Sequence, residues 1–149
     1  MRSDPELDVA RRRWAATAAE HLTAVVDAAV PLRKAFDADA EIAPAIGAVL
    51  ASEVINACSV LTDWLTGVRA PKGLGKAEGE LGAVAGVYRN AAVAFRSLAD
   101  AEIDQLEARS TACATMLDQG DHHVGIFIAI LEKKVGVQGR RGDGQSPAR

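Results

Sequence analysis

The stretch from Leu74 to Leu117 constrains this chain more than any other. Leu81, Val84, Tyr88, Ala91, Phe95 and Leu98 recur at alternating steps of three and four, so one helix face is apolar throughout. Beyond Phe95 the stripe moves to Ala99, Ile103, Leu106, Ser110, Cys113 and Leu117. The two successive steps of four at Phe95, Ala99 and Ile103 are a stutter, which locally unwinds a supercoil toward a straight helix. Glu80, Arg89, Arg96, Asp100, Asp104, Glu107 and Arg109 fall on the other side, as a solvated face requires. Read as one helix, the stretch is roughly 66 Å long at the standard rise.

Composition points the same way. Of 149 residues, 49% are hydrophobic but only 4% are aromatic. Alanine, the best helix former, makes up about a fifth of the chain and permits close helix approach. The expectation is an all-α antiparallel helical bundle, with three long helices and a short C-terminal helix. Residues 1–135 form the bundle and residues 136–149, glycine-rich and polar, form a disordered tail. The net charge of −3 argues against a nucleic-acid partner held by bulk charge.

Ser3, Asp4, Pro5 and Glu6 carry the signs of a helix start. The first helix extends to about Val30 on a stripe of Trp14, Ala18, Leu22, Val25 and Ala29, and Pro31 should kink or end it. A second helix starts near Asp39 or Ala40, with Pro44 in its first turns, and reaches about Gly67. Its stripe is Ile46, Val49 or Leu50, Val54, Ala57 or Cys58, Leu61, and Trp64 or Leu65, with Glu53 and Asn56 interrupting an otherwise apolar surface. The run from Gly67 to Gly73 is a helix-to-helix connection, short enough to make its neighbours antiparallel. Near Gly120 two signals conflict. The phase of Leu117, Gly120, Val124, Phe127 and Leu131 permits an unbroken helix, whereas Gly120 and Asp121 are residue types that end one helix and cap the next. The residue types favour a break.

Chemical motifs are scarce. There is no Glu-x-x-His, no His-Glu-x-x-His and no phosphate-binding loop: Gly75-Lys76 lacks both the upstream glycine and the following hydroxyl. Asp118, Asp121, His122 and His123 form a weak metal-ligand candidate that would need a further ligand from elsewhere. Cys58 and Cys113 read as reduced thiols acting as small buried hydrophobes. No catalytic residue and no cofactor is expected. The N-terminus shows no signal-peptide pattern and no apolar run reaches the roughly 18 residues a membrane span needs, so the expected location is cytoplasmic, without a membrane partner.

Trp64-Leu65-Thr66-Gly67 resembles the turn of the small secreted helical hairpins named for a Trp-x-Gly motif, but departs from it by one residue. Their export signal, a tyrosine followed four positions on by an acid, is absent here because Ala92 follows Tyr88. The resemblance implies a leaderless secreted hairpin protein.

The leading expectation of function is a non-enzymatic interaction or assembly module that engages a protein partner or a second copy. A small-molecule or metal-binding bundle near His122 and His123 is the alternative. The long helix overhangs its shorter neighbours beyond about Asp104. A helix from Asp121 to Lys134 is expected to fold back over that overhang, laying Val124, Phe127, Ile128 and Leu131 on Leu106, Cys113 and Leu117. These seven side chains are the expected interaction surface.

Overall fold

The computed structural model describes residues 4–38 and 43–136. Helix α1 spans Pro5–Asp37, α2 Pro44–Gly67, α3 Gly75–Ser97 and α4 Ile103–Lys134, with a single 3-10 turn at Leu98–Asp100. The fold is an all-α antiparallel bundle. Each long helix packs on its neighbour in sequence, and α3 lies between α2 and α4.

The start of α1 is set as its sequence predicts. Asp4 Oδ1 accepts from the amides of Glu6 at 3.0 Å and Leu7 at 3.3 Å, and Pro5 takes the first helical position, where an amide hydrogen has no helical partner. Of the two outcomes expected at Pro31, a kink or an end, the end does not occur. The helix continues to Asp37 and buries Leu32 one residue later. Burial of Leu32 offsets the single hydrogen bond that proline removes. Pro44, by contrast, sits at the start of α2 as proline prefers.

The turn from α2 into α3 is locked from outside. Gly73 adopts φ +95, and a Cβ there would fall 2.6 Å from the Arg11 guanidinium. Arg11 in turn donates from Nε to the Lys72 carbonyl at 2.8 Å, tying α1 to this turn. Glu78 accepts from the Ala70 amide at 3.2 Å and holds the other side of the loop.

The long helix expected from Leu74 to Leu117 is two helices. The chain leaves α3 at Ser97 and turns through Ala101 and Glu102, both extended. It then returns antiparallel as α4. Arg109 Nη1 donates to the Ser97 carbonyl at 3.2 Å and closes the reversal. No glycine or proline marks this turn. The two apolar stripes meet out of phase at Phe95, Ala99 and Ile103, and the reversal falls there. Folding back buries Cys113, Leu117, Phe127 and Leu131 against the body of the bundle. Ile103, at the elbow, is 92% exposed.

The expected break at Gly120 is absent, and α4 runs through it. Among the described residues the architecture therefore has four long helices, not three and a short one. The reason for a glycine here is packing. A Cβ on Gly120 would lie 3.0 Å from Cε1 and Cζ of Tyr88, so the hydrogen is what allows the tyrosine ring to seat on α4. Gly136, with φ 73, ends the helix by the usual left-handed route. The expectation of a disordered tail falls on residues outside the described ones, apart from Gly136.

Candidate interaction surface

The seven side chains expected to form an interaction surface divide between core and solvent. Cys113, Leu117, Phe127 and Leu131 are buried within the chain, and Val124 is half-buried against the same core. They pack on the body of the bundle and not on an overhang of their own helix. Only Leu106 and Ile128 remain exposed. The fold-back of a short helix onto Leu106, Cys113 and Leu117 is thus replaced by a hairpin in which one continuous α4 lies along α3.

The polar residues around Gly120 serve that hairpin. Tyr88 Oη donates to Asp121 Oδ1 from a buried ring, and Arg33 of α1 reaches the same carboxylate oxygen at 3.0 Å. One aspartate therefore joins α1, α3 and α4. Burial, then the hydrogen bond to Asp121, push the Tyr88 phenol well above its ordinary range, so it stays a proton donor. His123 Nδ1 lies 2.6 Å from Glu80 Oε1 across the α3–α4 seam. His122 meets His123 edge-on and lines an open depression with Thr115, Asp118 and Gln119. Among the described residues no group of three or more His, Cys, Asp or Glu side chains is placed to hold a metal ion. Asp121 and His123 are already engaged, which leaves Asp118 and His122 side by side in that depression, two ligands where a closed zinc site wants four.

Cys58 and Cys113 are buried, and burial pushes both thiols up to about 11. Cys113 Sγ sits 3.6 Å from the Ala91 carbonyl. Neither has the thiolate character of a nucleophile.

The strongest surface feature lies on α2. The residues that α2 buries are Gly47, Ala51, Val54, Cys58 and Leu61: the last three fall on the expected stripe, whereas Gly47 and Ala51 take the places expected for Ile46 and for Val49 or Leu50. Ile46 and Val49 instead stand 55% and 58% exposed, and Val60 55%. Glu53 and Asn56, which interrupt the apolar pattern in the sequence, mark this second face. The helix has no Lys or Arg along its length. An 18-residue window of α2 has a mean hydropathy of 1.6, with 28% of the window buried. By length and composition alone α2 is therefore long and apolar enough to cross a membrane, a feature that a search for uninterrupted apolar runs passes over.

No family model, curated protein sequence or solved structure matches this chain. What it does has to be argued from the surface it presents. Sequence periodicity located helix α2 but assigned its two faces as one, because Ile46 and Val49 are apolar and adjacent to the true core column.

Proposed function

We propose that this chain is a non-enzymatic helical interaction module that binds a protein helix along the outer face of α2. The observation that carries the reading is the exposure of Ile46, Val49 and Val60 on one side of a helix without a basic residue. Solvated helix faces normally carry long charged side chains, and large apolar side chains exposed along one face mark partner sites. A bilayer surface is a poorer fit to the same face. Interfacial helices hold anionic lipid through Lys and Arg on their polar side, and α2 offers Glu53 and Asp63 instead. The two buried free thiols, the Tyr88–Asp121–Arg33 junction and His123–Glu80 all read as parts that hold the bundle together.

The test is crosslinking in cells with a photoreactive amino acid in place of Val49 or Val60, with Asp27 on the exposed side of α1 as the control position. Irradiation is expected to give discrete protein adducts from positions 49 and 60 and none from 27. Equal, diffuse background from all three positions would overturn the reading.

A further inference from the structure

The outer face of α2 has a stricter order than exposure alone conveys. Ile46, Val49, Glu53, Asn56, Val60 and Asp63 recur at steps of three, four, three, four and three, and every one is exposed. This is a heptad seam turned toward solvent. Beside it runs a column spaced by seven: Ala45, Ser52, Ser59 and Thr66, also all exposed. Small side chains at that position let a second helix come to the near end of the usual interaxial distance of about 8–10 Å. Among the described residues Glu53, Asn56 and Asp63 make no hydrogen bond or ion pair within the chain.

Resting on the reading of α2 as an interaction face, we propose that its occupant is a second copy of the same chain, with the two α2 helices antiparallel. An antiparallel seam sets each first-column residue against a second-column residue of the other copy. Val60 then meets Val49 of the second copy, and Glu53 meets Asn56 of the second copy. Each Asn56 amide can donate to the Glu53 carboxylate across the seam, and the two-fold axis makes this contact twice. Ile46 and Asp63 face one another at the two ends, where the carboxylate keeps its water. A parallel pairing would set Glu53 on Glu53 and Asp63 on Asp63, which like-charge repulsion disfavours. The antiparallel register removes these directly opposed like charges and staggers the two Glu53 carboxylates by about 4.5 Å along the axis.

The contact is small. Helix α2 has 24 residues, so its face measures about 36 Å by about 11 Å, or roughly 400 Å² per copy. That is about half of the ~800 Å² each partner contributes to a standard interface. The dimer is therefore reversible, and concentration should control it.

The decisive experiment is sedimentation equilibrium of the purified full chain between about 5 µM and about 1 mM, a span that brackets weak association. Wild type should move from monomer toward dimer. Asn56→Lys opposes Lys to Glu53 and should tighten association about fivefold. Asn56→Glu opposes two glutamates and should weaken it about tenfold. Residue 56 is exposed, so both variants should keep the wild-type circular dichroism spectrum and melt. Register is read separately by mild oxidation. Val49→Cys chains mixed with Val60→Cys chains should form a mixed disulfide. Neither variant alone should, since like positions lie about 16 Å apart along the axis, beyond the roughly 7 Å a disulfide spans. A wild-type chain that stays monomeric at the highest concentration overturns the proposal. So do Asn56 variants that shift in the same direction, or a missing 49–60 disulfide. If photocrosslinks from position 49 then lead to a protein of different mass, the interaction reading stands and only the identity of the occupant is wrong.

Discussion

Gly120→Ala should destabilise this protein, although alanine is the better helix former. In a helix interior the exchange stabilises by about 1 kcal/mol. Here the added methyl would sit 3.0 Å from two atoms of the Tyr88 ring, closer than such carbons pack. The ring has little freedom to retreat: it is 2% exposed and its hydroxyl is held by Asp121. Overpacking of this kind costs about 1–3 kcal/mol. The net expectation is a loss of about 1 kcal/mol, or about 3 °C in Tm at this chain length. Gly125, one turn and a half further on, has nothing within 4 Å of its Cβ position, so Gly125→Ala should gain about 1 kcal/mol. The assay is urea unfolding followed by far-ultraviolet circular dichroism, run as a double-mutant cycle with Tyr88→Val. Valine removes every ring atom that crowds Gly120, so in that background Gly120→Ala should stabilise by about 1 kcal/mol. A change of sign is the signature of a seat for the ring. If Gly120→Ala destabilises equally in both backgrounds, the glycine is needed for its own backbone and the packing argument fails.

Three further outcomes are expected. Phe127→Ala should cost about 3–5 kcal/mol by emptying a core site, while Ile103→Ala should change stability by less than about 0.5 kcal/mol, in the same urea titration. Asp121→Ala should cost more than Arg33→Ala, by about 1–2 kcal/mol, because it leaves the buried Tyr88 hydroxyl without an acceptor; equal losses would mean the ion pair alone matters. Cys58 and Cys113 should resist an aromatic disulfide reagent in the native state and both react in urea. Their folded pKa is raised from 9.0 to about 11, so the protonated thiol is the favoured native form. That contribution is complete below pH 9 and is lost as pH rises toward 11, and Cys58→Ala/Cys113→Ala should flatten this alkaline decline.

The helical class and most of the core were legible in the sequence. Trp14, Ala18, Leu22, Val25 and Ala29 on α1, and Leu81, Val84, Tyr88, Ala91 and Phe95 on α3, are buried as their spacing predicts. Local residue type was the poorer guide where it conflicted with phase. Pro31 and Gly120 suggested helix ends, yet Leu32 burial and the Tyr88 ring decide those positions, and both are long-range contacts that spacing cannot encode. The reversal at Ala101 and Glu102 had no turn residue to announce it. Its one trace was the pair of four-residue steps at Phe95, Ala99 and Ile103, where two stripes with different partners join. The candidate surface moved from α4 to α2 for a related reason. Once α4 became a hairpin arm, its apolar residues had a partner in the same chain, and the side of α2 bearing Glu53 and Asn56 was left without one.

The aromatic residues divide the bundle into two spectroscopically separate regions. Both tryptophans of the chain meet at one end, with Trp14 and Trp64 ring centroids 5.5 Å apart. His21 lies 5.0 Å from Trp64, and Phe127 brings α4 within 6.4 Å of Trp14. The Trp14 ring nitrogen is buried with no hydrogen-bond partner, so its emission should be blue and should redden sharply when α4 lifts away and water arrives. The single tyrosine sits on the α3–α4 seam around Gly120. Emission excited above the tyrosine absorption therefore follows the closing of α4 on Trp14 of α1, while tyrosine absorbance follows the hairpin. Coincident curves from the two chromophores would mean one cooperative unit, and separated curves would mean that the hairpin outlives its docking.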